Sequence, residues 1–155
     1  MLELITKQNS ARGFTLLELM VTLAIAAILA SIAAPSFKGL IESQRVRSAS
    51  NDLISSLNFA RSEAVTRNTD ISVTQASGGW TSGWTVNNGT TVLRAVDSVT
   101  GIAVSSAISS VIYGSNGRAS AAIEFTVAPS SGGNDRSKCV SISLSGKPSS
   151  DSGSC

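Results

Sequence analysis

Arg12-Gly13-Phe14-Thr15-Leu16-Leu17-Glu18-Leu19-Met20 opens an apolar run that continues to Ala34. Glu18 is the only charged residue among the 21 from Phe14 to Ala34; Lys7 and Arg12 precede the run, and Pro35 and Lys38 follow it. At ~1.5 Å of rise per residue, a helix of this length covers about the 30 Å of a bilayer's hydrocarbon core. Basic residues ahead of the run place its N-terminal end in the cytoplasm. Residues 14–35 therefore read as a membrane-spanning helix. Residues 1–13 read as a short polar leader with no apolar core of its own.

Glu18 asks for more than an anchor. A carboxylate in such a helix costs about 2.5–3.5 kcal/mol on insertion scales, and intramembrane acids usually have a partner. The segment itself supplies none. A cut after Gly13 would create an ammonium on Phe14, four residues from Glu18, able to meet the Glu18 of a neighbouring copy. An ordinary signal peptide is the plainer alternative, with Ser31-Ile32-Ala33-Ala34 as small residues before a cut. That reading leaves Glu18 inside the apolar core unexplained. For Pro35 a simple kink or stop stays open.

Gly13-Phe14-Thr15-Leu16-Leu17-Glu18 resembles the prepilin peptidase site of type IV pilins and type II secretion pseudopilins. The resemblance implies that the peptidase cuts after Gly13 and that Phe14 becomes the N-methylated first residue. It makes Glu18 the acid needed for assembly into a helical filament. Pro35 matches a proline found at the membrane exit of many pilins. The implied partners are the inner membrane, the prepilin peptidase, and other major and minor pilins. The implied location is the inner membrane, with one span, a cytoplasmic N-terminus and a periplasmic globular domain, and then the filament.

Beyond Pro35 the helical period resumes. Val46, Leu53, Leu57, Ala60 and Ala64 fall on one face, and Glu42, Arg45, Arg47, Asp52, Arg61, Glu63 and Arg67 mostly on others. An amphipathic half over 36–67 follows, with Asn68 as stop. The whole helix is thus predicted at roughly fifty residues, far beyond the usual globular length. From Asp70 the chain turns to short β-prone runs broken by Gly, Ser and Asn. Strands are expected near Ile71–Gln75, Trp84–Asn87, Thr91–Val96, Ile102–Val104, Val111–Tyr113, Ala122–Val127 and Cys139–Leu144, with a hairpin turn at Asn87-Asn88-Gly89. Leu57–Asn68 and Gly78–Trp84 are similar to segments of the FimT, FimU and GspH branch of minor pilins and pseudopilins. The fold expected is α+β: the long helix packed on a mostly antiparallel sheet, with 36–155 as the globular domain. Trp80 and Trp84 read as core or sheet-edge packing, with a ligand platform as the alternative.

Composition narrows the function. The chain has 155 residues, a formal net charge of +2 and no histidine. Residues 1–13 carry Lys7, Arg12 and Glu3, so removing them lowers the charge by one. Nothing in a net charge at this level points to a nucleic-acid partner. No histidine is available to activate a serine, and Gly114-Ser115-Asn116-Gly117-Arg118 lacks the lysine and hydroxyl of a phosphate loop. An enzyme is not expected, nor a cofactor, nor a metal site with two thiols and no histidine. Cys139 and Cys155 would face an oxidising compartment, where a disulfide is the default, and pilins often carry one at the C-terminus. The Ser- and Gly-rich tail between them would wander unless tethered. FimT-like minor pilins bind DNA for natural transformation through a Gly-Arg-x-Arg motif. The matching stretch here is Gly146-Lys147-Pro148-Ser149, in which Lys147 keeps one charge and Ser149 loses the other. Arg136, Lys138 and Arg118 complete the candidate DNA contacts. Three functions follow from the resemblance: a minor pilin that supports pilus assembly, a DNA-uptake pilin, and a pseudopilin of type II secretion.

Overall fold

The computed structural model describes residues 13–155, apart from the side chains of 33–36 and 134. The leader expected ahead of Gly13 therefore lies outside the described residues. The chain divides into two compact units, up to Lys38 and from Gly39 to Cys155. One helix, α1, runs through both, Leu16–Arg67, 52 residues.

In the first unit, Thr15 caps α1. Its hydroxyl accepts from the backbone N–H of Glu18 at 3.2 Å, and its carbonyl accepts from Leu19 N–H at 3.2 Å. Thr15 and Glu18 thus have the spacing of a capping box, and the acid lies in the first turn, where the helix dipole favours it. The hydroxyls of Thr22 and Ser31 return to the carbonyls of Leu19 and Ile28, which leaves no free hydroxyl donor at these positions. Every large apolar side chain from Phe14 to Ile32 is at least 50% exposed. Among the described residues no single helix is long and apolar enough to cross a membrane. Leu16–Ile32 meets that test only jointly with Phe37–Arg67, as a broken span.

In the second unit α1 turns its predicted stripe inward. Val46, Leu53, Leu57, Ala60 and Ala64 are all at most 1% exposed, and Ala49 joins them. Ser50 and Ser56 enter this buried face without an orphaned donor, because each bonds the carbonyl four residues back, Val46 and Asp52, at 2.8 Å. Asn68 ends the helix in the left-handed region (φ 52°). Asn68 N–H reaches Val65 carbonyl and Thr69 N–H reaches Ala64 carbonyl, the paired bonds of a Schellman cap.

Eight strands follow: β1 Ile71–Ala76, β2 Gly79–Asn88, β3 Thr91–Asp97, β4 Ile102–Ser105, β5 Ser110–Tyr113, β6 Ile123–Pro129, β7 Lys138–Ile142 and β8 Pro148–Ser152. The single sheet expected is divided in two. The sheets have orders β3-β2-β1-β5 and β4-β6-β7-β8, with all pairings antiparallel. The alternation of β1 and β6 sends Ile71, Val73, Ile123, Phe125 and Val127 into one core with the helix stripe. Gly89 and Thr90 make the tight turn between β2 and β3, since Asn88 pairs with Thr91.

Two expectations are corrected. β2 begins five residues earlier than the sequence suggests, because Gly79 pairs with Ala76 of β1 and Gly83 with Asp97 of β3. The tail, for which no strand is expected, carries one: Pro148–Ser152 pairs with β7 from Ile142↔Pro148 to Lys138↔Ser152. Its Ser-rich composition hides it, since the backbone ladder and not side-chain burial holds most of it. The cysteines at its margin are bonded, Cys139 to Cys155, with Cα atoms 4.9 Å apart.

The two sheets are tied by β2. The Thr81 hydroxyl accepts from Val104 N–H and donates to Val104 carbonyl, both at 3.0 Å, so it borders β4 as a strand would. Trp80 Nε1 donates to Ile108 carbonyl at 2.6 Å, and its ring meets Phe125 edge-on with centroids 4.8 Å apart. Trp80 and Trp84 are both buried, as core packing requires.

Candidate functional site

The first candidate site is the start of α1. Gly13 has nothing within 4 Å of where a Cβ would sit, and Phe14 is 79% exposed. A peptide bond so placed is open to a protease. Glu18 is exposed and has no cation within ion-pairing distance among the described residues. The chain thus presents an uncovered apolar helix face with one unpaired carboxylate near its end. The apolar face is unfavourable in water, where lipid or packed helices would cover it; the carboxylate is well solvated in water but costly in an apolar layer unless a cation meets it there. Pro35 lies within the range of α1, between the two parts of the broken span, Leu16–Ile32 and Phe37–Arg67; its side chain lies outside the described residues.

The second candidate is the basic surface, and the structure divides it. Gly146, in the turn between β7 and β8, packs against the carbonyl of Gly117, which leaves no room for a Cβ. Arg61 of α1 donates from Nε to the same Gly117 carbonyl at 3.0 Å. This contact brings Arg61 and the residues flanking the two glycines, Arg118 and Lys147, to one end of the domain. Arg118 and Lys147 are exposed. Asp70 shares a groove with Arg118 and adds a negative charge there. Arg61 was not singled out from sequence; only the backbone contact between two glycines, distant in the chain, reveals it.

Arg136 and Lys138 lie elsewhere. Lys138 pairs with Ser152 and Ile142 with Pro148, so Lys138 and Lys147 sit at opposite ends of the β7–β8 hairpin, about 13 Å apart along the strand. Arg136 is committed to Glu42 of α1 at 3.0 Å, and Ser131 donates to the other oxygen of Glu42 at 3.1 Å. Its guanidinium also lies over Gly39. Lys138 lines a small groove with Arg47, Asp135 and Ser152. Arg136 and Ser131 hold the segment after β6 to the helix, and neither Arg136 nor Lys138 joins the cluster at the far end.

Tyr113 lies beneath the Gly146 contact. It is fully buried, its hydroxyl has no hydrogen-bond partner among the described residues, and its ring is 3.2 Å from where a Gly146 Cβ would be. Burial pushes its pKa up to about 12, with the nearby Arg61 pulling the other way. It is a filler of the core and not a proton donor at neutral pH.

Comparison with known proteins agrees with this division into an N-terminal motif and a domain. The model of the prokaryotic N-terminal methylation motif matches residues 8–34. No curated protein sequence matches the chain. Among solved structures, the type IV minor pilin FimU of Pseudomonas aeruginosa is similar in two crystal forms. One has 23% identity and a TM-score of 0.60 over 68% of this chain and 91% of that one. The other has 22% identity and a TM-score of 0.64 over 72% and 92%. The minor pseudopilin EpsH of the Vibrio cholerae type 2 secretion system is similar at 11% identity, TM-score 0.57, over 70% and 97%. At these identities the likeness is one of fold. The model described as type II transport protein GspH matches residues 49–146, from the buried stripe of α1 through the β7–β8 turn, and with more than half of its length so matched the chain belongs to the GspH family of pilins and pseudopilins.

Proposed function

We propose that this protein is a minor type IV pilin that supports pilus assembly, and through it motility or adhesion. The observation that carries the reading is the pairing of an uncovered apolar helix with Glu18, five residues into the segment that Gly13 opens. Before assembly the helix spans the inner membrane with its N-terminus in the cytoplasm and the domain in the periplasm. Prepilin peptidase cuts after Gly13 and methylates Phe14. Glu18 then neutralises the amine of an adjacent subunit as the helix leaves the bilayer, and apolar faces bury one another. In lipid these side chains are already out of water, and exposing each to water would cost about 1.5–3 kcal/mol, so the helix can leave the bilayer only where neighbouring helices surround it. That favours a place within or at the tip of a filament over a pairwise complex. The work done is assembly and not catalysis.

The test is a count of surface pili on cells lacking this chain, with expression restored as control. Loss of pili supports the reading. Normal pili with a defect in type II protein secretion would replace it with the pseudopilin role.

A second reading, DNA binding in natural transformation, draws support from the cluster of Arg61, Arg118 and Lys147. Three cations at one end of the domain support weak, salt-sensitive contact with phosphates. Asp70 beside Arg118 works against it.

A further inference from the structure

The sheet edges differ in how they are closed. β3 carries a bulge opposite Val86 and Asn87, and its Arg94 turns in to bond Ser55 of α1 at 3.0 Å. β8 begins with Pro148 and carries Asp151. β5 is bordered by the segment after it, through Ser120 N–H to Ile112 carbonyl and the bridge between Tyr113 and Ala119. β4 is bordered by the Thr81 hydroxyl. Bulges, inward charges, prolines and side-chain covers are the ways by which proteins keep strand edges from pairing.

β6 is different. β4 stops at Ser105↔Thr126, while β6 runs back to Ile123 and is still paired with β7 there, Ile123↔Ile142. On the side that β4 vacates, no strand lies beside Ile123–Phe125. The chain leaves because it crosses to the other sheet, where Trp80 takes Ile108 carbonyl and Gln75 N–H takes Ser109 carbonyl. Ser106 fills part of the gap: its hydroxyl donates to Glu124 carbonyl at 2.7 Å, where a neighbouring strand would offer an N–H. Beside it opens a groove of about 400 Å³, walled by Ser106–Ile108 and by Ala122–Glu124 with the end of β7. Glu124 is the only charged residue lining it, is exposed, and has no cation within ion-pairing distance among the described residues.

We propose that this groove takes an extended segment of another protein as an added strand, antiparallel to β6 in the lane that β4 leaves. About three residues, roughly 10 Å of extended chain, fit beside Ile123–Phe125. Once such a segment displaces the Ser106 hydroxyl, the N–H and carbonyl of Glu124 hold it by main-chain bonds, and alternate side chains select it. Small or β-branched side chains go toward Ile108, Ile123 and Ile142, and a basic side chain faces Glu124. A second copy of this chain is not the occupant: its edges at β3, β4, β5 and β8 are closed as described, and pairing its own β6 there would set Glu124 opposite the same carboxylate.

The test uses the full chain in detergent micelles with methyl-labelled isoleucine and, as probe, the capped peptide Val-Lys-Val-Lys-Val. The methyl signals of Ile108, Ile123 and Ile142 should shift saturably at millimolar peptide, while that of Ile71, in the other sheet, should stay. The same peptide methylated on alternate backbone nitrogens should lose binding. Replacing its lysines by glutamates should weaken binding about threefold, and Glu124→Lys should reverse that preference. Equal binding of the N-methylated peptide, shifts confined to other strands, or no shift at all would overturn the proposal. So would concentration-dependent changes of the same signals without peptide, which would make a second copy the occupant.

Discussion

Gly146 faces the carbonyl of Gly117 at a separation that leaves no room for a Cβ on Gly146. The φ of Gly146 is +80° and that of Gly117 is +72°. The contact closes the β7–β8 turn onto the segment after β5 and lets Arg61 of α1 reach the same oxygen. Gly146→Ala would add both a backbone strain and a steric clash with backbone that cannot swing aside. A loss of roughly 2–4 kcal/mol in unfolding free energy is expected. Denaturant unfolding of the purified variant reads it, and a loss under about 0.5 kcal/mol would mean the turn relaxes freely.

Tyr113 predicts an alkaline limit. Burial, which disfavours the phenolate, pushes its folded pKa up to about 12, above the ordinary tyrosine value of about 10. The folded state therefore holds the proton more tightly than the unfolded chain. The stabilisation is fully present below pH 10 and is lost as pH rises from 10 toward 12. Tyr113 is the only tyrosine, so ultraviolet absorbance of the phenolate reports it directly. Tyr113→Phe should flatten the loss of stability between pH 10 and 12 and change stability little at pH 7, since the hydroxyl has no partner to lose. A midpoint near 10 in the folded protein would contradict the burial.

The bridge from Cys139 to Cys155 closes a loop of sequence separation 16. Restricting the unfolded chain over such a loop is worth about 3 kcal/mol. The double variant Cys139→Ser, Cys155→Ser should lose about that much. Its β8 should fray first at Ser152, the end farthest from buried Pro148 and from the hydroxyl contact of Ser141 with Ser149. Hydrogen exchange would show this as faster exchange at Gly153, whose N–H bonds Ser137 carbonyl, with Ile123 unchanged. Equal protection in both forms would place the stabilisation elsewhere.

The helix and the core were legible because their signals are periodic. Val46, Leu53, Leu57, Ala60 and Ala64 carry the 3.6-residue repeat, and each is buried. Seven of the eight strands announce themselves through β-branched and aromatic residues. β8 does not, since Pro148-Ser149-Ser150-Asp151-Ser152 looks like a linker until β7 gives it a ladder. The division into two sheets was also hidden, for it depends on Thr81 and Trp80 reaching across to Val104 and Ile108. Of the candidate basic residues, sequence proximity to Lys147 suggested Arg136 and Lys138. The register instead places those two at the far end of the hairpin and brings Arg61 in from the helix.

That geometry sorts the DNA reading residue by residue. If duplex DNA binds, Arg118→Ala and Lys147→Ala should each weaken it and reduce the slope of log affinity against log salt by about 1. Arg136→Ala should leave affinity unchanged, because Arg136 is already paired with Glu42. Gel shifts at two salt concentrations separate these cases. A dominant effect of Arg136 would move the interface to the other end of the hairpin.

Thr15 and Glu18 share the first turn of α1, and their two possible roles come apart by mutation. As an N-cap, Thr15 satisfies the N–H of Glu18. Thr15→Ala should cost the helix about 1 kcal/mol of local stability, as lost caps do, yet leave the carboxylate in place for a neighbour's amine. Glu18→Ala keeps the cap and removes the carboxylate. Cells expressing Glu18→Ala should therefore contain the chain at mature length but lack it in sheared pili, whereas Thr15→Ala should be found in both. Gly13→Glu should block the cut and leave only the longer form. Immunoblots of whole cells and of sheared filaments read all three. If Glu18→Ala enters filaments normally, the acid serves only the helix N-terminus, and pairing with an adjacent subunit is not what draws the helix out of the membrane.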